Sequence, residues 1–233
     1  MNQNLTEIVV VLDESSSMGV VREATIEGFN TFVDMQREQP GECRLTLQKF
    51  NTAVPEPTFV SQNVRTISRL GGYNYCPTGM TALYDAIGVS IDALGQRLAL
   101  MPESQRPGKV IFVIQTDGQE NVSQRFNLKM VNEKIEHQKS IYSWDFMFIG
   151  SAKDLDVAAV ALSLGINDKS TISYDKSLRG TTNVFASAAN YVNTARTVGA
   201  ANTSFSASDR DAALQTDGTV VTNAANVTLT ATP

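Results

Sequence analysis

Asp13, Ser15 and Ser17 stand at alternate positions in VVVLDESSSMG, directly after an apolar run. Side chains at i, i+2 and i+4 of a turning loop can point at one spot. Two further stretches offer oxygens of the same kind. CPTGMTALYDAI carries Thr78 and Thr81, and VIQTDGQEN carries Asp117. Two carboxylates with several hydroxyls make a hard donor set. Such a set suits Mg²⁺ or Mn²⁺, with Ca²⁺ also acceptable to the hydroxyls, rather than zinc or copper. Hydroxyls are neutral ligands. A cation held by them and by only two carboxylates stays electrophilic and can take one more carboxylate from outside.

Other chemistries find less support. The single histidine, His137, falls in a helical stretch far along the chain, so a Ser-His-Asp hydrolase lacks its base. RLGGYNYCPTG is glycine-rich but follows no strand and lacks the lysine of a phosphate-binding loop. Asp13 is the only candidate base for a metal-dependent hydrolase or phosphotransferase, and the expectation is a binding protein, not an enzyme. Cys43 and Cys76 form no Cys-x-x-Cys pair, which argues against zinc. A plainer account of the cluster is loop capping, with Ser17 and Thr81 as helix N-caps. It serves for one motif alone and less well for three together.

These residues need elements to hold them. The chain has 233 residues, 42% hydrophobic and 18% charged, enough for one large domain with a real core. Its net charge of −5 and scattered basic residues give no electrostatic case for a nucleic-acid or membrane partner. The opening MNQNLTEIVVVL has no basic start, and no apolar run approaches the roughly 20 residues of a membrane helix. The expected location is cytoplasmic, or virion-associated if the chain is phage-encoded. Apolar runs at 8–12, 109–116 and 142–150 read as buried strands, and 43–50 reads as a half-buried one. A short edge strand near Thr58 and a last strand, TISY, complete the set. Amphipathic helices are expected over 20–39, 81–101, 127–139, 153–164 and 181–198. This alternation predicts an α/β, doubly wound, mostly parallel sheet with helices on both faces and one antiparallel edge strand. Ligands of such sheets sit beyond the carboxyl ends of the strands, where Asp13 and Asp117 fall. Residues 1–200 are read as the domain. Residues 201–233 form an Ala/Thr/Asn-rich tail in which TVVTNAANVTLT could make a β-hairpin, and the tail could serve a structural or assembly role.

Asp-x-Ser-x-Ser after a first buried strand, a Thr loop in GMTALYDAI and an Asp in QTDGQEN together resemble the von Willebrand factor A domain. The stand-alone bacterial and phage members are the nearer likeness. The resemblance covers roughly residues 7–198. It implies a Rossmann-like fold and a metal-ion-dependent adhesion site. Ser15, Ser17 and Thr81 would be direct ligands, and Asp13 and Asp117 would act mostly through metal-bound water. Thr78 is the rival to Thr81, which is preferred because it directly precedes the helix. The resemblance also implies a protein partner that completes the metal with an acidic residue. Tyr73, Tyr75 and Glu120 are expected on the rim facing that partner; the alternatives are that the two tyrosines pack on their own domain and that Glu120 stands behind the ligands. Glu14 and Ser16 are expected to point elsewhere.

Overall fold

The computed structural model describes residues 1–199 and 202–218. Six strands form one sheet: β1 (Asn2–Asp13), β2 (Glu42–Phe50), β3 (Phe59–Asn63), β4 (Pro107–Thr116), β5 (Asp145–Ser151) and β6 (Thr171–Tyr174). Their order is β3-β2-β1-β4-β5-β6, parallel throughout except for β3, which runs antiparallel to β2 at one edge. Among the described residues six α-helices accompany them, the last two following β6: α1 (Arg22–Arg37), α2 (Leu83–Ala99), α3 (Leu128–Tyr142), α4 (Val157–Ser163), α5 (Leu178–Val198) and α6 (Ala207–Ala213).

Strand β1 is buried on both faces because helices cover both, so its sequence is a continuous apolar run instead of an alternating one. Successive side chains point to opposite faces. Ile8, Val10 and Leu12 meet Phe29, Phe32, Phe185 and Val192 of α1 and α5, while Val9 and Val11 meet Leu83, Ile87 and Ile91 of α2. Helices α3 and α4 add Val131, Ile135, Val157 and Ala161 to the second face. Gly28 of α1 allows the first layer to close, since a Cβ there would lie 2.5 Å from the Phe185 ring.

The chain leaves β1 toward β2 and returns to its other side as β4, with Val9 registered between Thr46 and Phe112. This reversal opens a crevice at the carboxyl ends of β1 and β4. Asp13 ends one of these strands and Asp117 directly follows the other.

Two expectations need correction. The first concerns the proposed tail. Ser206 caps α6 through a reciprocal capping box with Asp209. Phe205 packs on Tyr191 with ring centroids 4.9 Å apart, and Ala213 is buried. Residues 202–218 therefore belong to the domain: one aromatic anchor and a capped turn of helix bury enough to hold them. The hairpin reading of TVVTNAANVTLT lies outside the described residues. The second concerns helix starts. Helix α1 begins at Arg22, two residues later than Val20, because Ser16–Val21 winds as a tight 3₁₀ segment. Helix α2 begins at Leu83, not Thr81.

Asp145, at the start of β5, shows how this sheet responds to pH. Tyr191 donates to its Oδ1 at 3.4 Å, while Oδ2 has no hydrogen-bond partner. Burial pushes its carboxyl up to about 6, against smaller opposing effects from Tyr191, the Phe146 amide and Lys139. A native carboxyl that holds its proton more tightly than the unfolded chain contributes stability at low pH. That contribution is lost as pH rises from about 3.8 through about 6. Asp145→Asn should accordingly stabilise the domain at pH 7 relative to wild type, by roughly 1–3 kcal/mol, and change little at pH 3.5. Urea melts at the two pH values measure the difference, and an equal effect at both would rule out the burial account.

Candidate metal centre

The expected oxygens come together. Asp13 and Asp117 are fully buried, Ser15 and Thr81 nearly so, and Ser17 is exposed. The Ser15 amide donates to Asp13 Oδ1 at 2.7 Å and the Thr116 hydroxyl donates to Asp13 Oδ2 at 2.6 Å. Ser17 Oγ donates to Asp117 Oδ1 at 2.7 Å and lies 3.0 Å from Ser15 Oγ. A serine has one hydroxyl proton. With Ser17's committed to Asp117, the bond between the serines runs from Ser15 to Ser17. The relay Ser15→Ser17→Asp117 thus turns the protons away and leaves lone pairs on all three hydroxyl and carboxylate groups.

Gly118 locates Thr81 relative to them. A Cβ built on Gly118 would sit 3.4 Å from Thr81 Oγ1 and 3.8 Å from Ser17 Oγ. Both hydroxyls border the same small space, and glycine keeps it clear. Thr78 is exposed, and its amide donates to the Glu14 carbonyl at 2.9 Å. It stiffens the loop, and Thr81 faces the site. The capping account fails on inspection. The residue before α1 is Val21 and the residue before α2 is Ala82, neither with a side-chain cap. Ser17 lies within the 3₁₀ segment, whose N-cap, Ser15, makes no side-chain capping bond.

Burial is the main reason that the Asp13 carboxyl is pushed up to about 6. The Thr116 hydroxyl opposes this, and the nearby Asp117 charge adds to it. Two buried carboxylates at one strand edge are a concentration of negative charge that calls for a cation. The donors present fit a hard divalent ion. Asp117 Oδ2 is faced by the Lys176 ammonium at 2.5 Å, and hydroxyls from two other loops flank the space before Gly118. Among the described residues no three His, Cys, Asp or Glu side chains gather into a cluster, so a cation here would depend on Ser15, Ser17 and Thr81.

Several residues that position the site carried no recognisable signal in the sequence. Glu14 is buried, pairs with Lys49 at 2.9 Å and accepts from the Cys76 amide at 2.6 Å, tying the first loop to the second. Arg22 donates to the carbonyls of Gly72 and Tyr75. Asp85, in the first turn of α2, accepts the amides of Gln124, Arg125 and Phe126 at 2.8–2.9 Å. Asn121 accepts from the Thr81 amide at 2.9 Å. Lys176, between β6 and α5, brings its ammonium 2.5 Å from Asp117 Oδ2.

The rim differs from expectation at two of three positions. Tyr73 is 81% exposed and remains a rim residue, with Met80 also exposed nearby in sequence. Tyr75 is wholly buried, and its hydroxyl donates to the Asp13 carbonyl at 2.6 Å. A phenol can pack its ring in the core while its hydroxyl satisfies a strand-end carbonyl. Glu120 turns inward: it accepts the amides of Tyr84, Val122 and Ser123 and the Ser123 hydroxyl. With four donors on it, this carboxylate organises the loop and does not reach for a partner.

Comparison with solved structures agrees with the fold. A von Willebrand factor type A protein from Catenulispora acidiphila superposes with a TM-score of 0.54, at 11% identity, over 80% of this chain and 42% of that one. The fold is that of a von Willebrand factor A domain. Proximal thread matrix protein 1 from the mussel byssus aligns with the same TM-score and 13% identity, over 81% of this chain and 46% of its own. This chain thus spans less than half the length of either neighbour. No family model and no curated protein matches its sequence.

Asp85→Ala should loosen the loop after β4 without unfolding the sheet. Removing three charge-assisted acceptor contacts is expected to cost about 1–3 kcal/mol. Amide exchange at 124–126 should accelerate while that of Ile111–Ile114 stays slow. Unchanged exchange at 124–126 would show that Asp85 does not hold the loop.

Proposed function

We propose that this end of the sheet binds a divalent cation, Mg²⁺, Mn²⁺ or Ca²⁺, and through it an acidic side chain of a protein partner. The observation that carries the reading is the convergence of Ser15, Ser17 and Thr81 hydroxyls with Asp13 and Asp117 from three separate loops. The cation would supply an electrophilic point that a partner carboxylate completes.

The chain's own residues would do the rest. Ser15, Ser17 and Thr81 would present neutral oxygens, which leave the ion short of negative charge. Asp13 would fix the first loop by accepting the Ser15 amide. Asp117 would orient Ser17. Tyr73 and Met80, both exposed, would offer apolar contact beside the polar centre, the usual composition of a protein-binding rim. Asp13, the candidate base, is already engaged by the Ser15 amide and the Thr116 hydroxyl. The reading is accordingly of a binding module and not an enzyme. No helix among the described residues is long and apolar enough to cross a membrane. With both cysteines free, action in the cytoplasm is part of the proposal.

The test is a pull-down from host extract in Mg²⁺ and in EDTA, with Ser15→Ala and Asp117→Ala beside wild type. The partner should be lost in EDTA and from both variants. In parallel, Ser15→Ala should lower Mn²⁺ affinity roughly 10–100-fold with its circular dichroism unchanged. A partner retained in EDTA and by folded variants would move the function away from these loops.

A further inference from the structure

Lys176 does not belong to the oxygen cluster, yet its ammonium reaches into it. Its side chain is only 12% exposed and its ammonium lies 2.5 Å from Asp117 Oδ2, the carboxylate oxygen that Ser17 does not engage. The same ammonium lies 3.5 Å from Asp154 Oδ2, on a carboxylate 39% exposed and steadied by the Ser151 hydroxyl at 3.2 Å. One cation therefore stands between two carboxylates, one inside the centre and one at its edge.

The backbone that carries Lys176 is held on both sides. The Asp175 amide donates to the Ala213 carbonyl at 2.9 Å. Ser177 caps α5 through the Gly180 amide, and Asp217 accepts the amides of Leu178 and Arg179. Residues 202–218 thus brace the loop from outside. What stays adjustable is the four-carbon stem of the lysine, which carries its charge as a point on a flexible chain.

We propose that Lys176 is a tethered competitor for the cation centre. Its ammonium and a divalent ion would claim the same Asp117 carboxylate, and Asp154 would accept the ammonium when the ion prevails. This rests on reading the three loops as a cation centre. Like charges at one carboxylate repel, so ion affinity is set lower than the oxygen donors alone would give. Occupancy then follows the free divalent-ion concentration instead of saturating at trace metal. Binding of an acidic partner would inherit that threshold.

Titration of MnCl₂ into the purified chain by calorimetry tests the idea, with wild type, Lys176→Met, Asp154→Asn, the double variant and Ser15→Ala. Lys176→Met should bind Mn²⁺ on the order of tenfold more tightly than wild type, an ordinary size for coupling between two binding events. It should melt lower than wild type in EDTA, because Asp117 loses its counter-charge, and should regain more of that loss in Mn²⁺. Asp154→Asn should weaken Mn²⁺ binding in the wild-type background by more than it does in the Lys176→Met background, the excess measuring the landing role of Asp154. If Lys176→Met melts without a cooperative transition in EDTA, Lys176→Gln takes its place in the same titration. Equal or weaker Mn²⁺ binding by the lysine variant, with wild-type binding intact, overturns the competitor and leaves the cation centre standing. Absence of Mn²⁺ binding from wild type and from both lysine variants overturns the centre and the competitor together.

Discussion

Asp13 and Asp117 bring two carboxylates to adjacent strand ends from which water is excluded, and the rest of this end of the molecule is arranged around their charge. Burying a carboxylate is costly unless donors or an opposite charge face it. Asp13 receives an amide and a hydroxyl, and Asp117 receives a serine hydroxyl and a lysine ammonium. The remaining imbalance is visible in Asp13, whose carboxyl is pushed up to about 6, chiefly by burial and in part by Asp117. A site in this condition favours a cation without needing many anionic ligands. That is the physical link between the strand-end geometry and the proposed adhesion chemistry.

A second set of carboxylates keeps the loops in place. Glu14 accepts an amide from a neighbouring loop, Asp85 accepts three from the loop after β4, and Glu120 accepts two from its own loop and one from the first turn of α2. Loops that cross a strand end have unpaired amides by necessity. A carboxylate can satisfy two or three of them at once, which fixes backbone over a distance that helix and strand bonding cannot reach. Tyr75 does the complementary work, donating to the carbonyl of Asp13 itself. The four loops at this edge, including the one that bears Lys176, are therefore one hydrogen-bonded unit. A change in any one would reach the hydroxyls of Ser15 and Thr81.

The segment after α5 extends this unit. Phe205 and Ala213 close the face formed by α1 and α5, and Asp217 pins the first turn of α5 next to Lys176. Its composition, rich in small and polar residues, gives little hint of such a role. Ser206 and Asp209 at capping-box spacing, followed by alanines, were the signal present. A single buried aromatic against Tyr191 supplied the anchor.

The order of elements, the parallel sheet with its antiparallel edge, and the gathering of Asp13, Ser15, Ser17, Thr81 and Asp117 at one end were all legible from the amino-acid sequence. Apolar runs and helical periods determine which segments are strands and helices, and the carboxyl-end rule then places anything that follows a strand. What the sequence could not decide was the direction of single side chains in loops. Tyr75 and Glu120 look like rim residues by type and spacing, yet one packs inward and the other gathers amides, because unpaired backbone groups nearby outbid solvent. Glu14, Asp85 and Lys176 look like ordinary surface charges. Their partners lie from 22 to 62 positions away in the chain. Only the folded sheet brings such distant residues within a few ångströms, so long-range charge pairing was decided by the tertiary structure, while local pattern alone had already settled the frame.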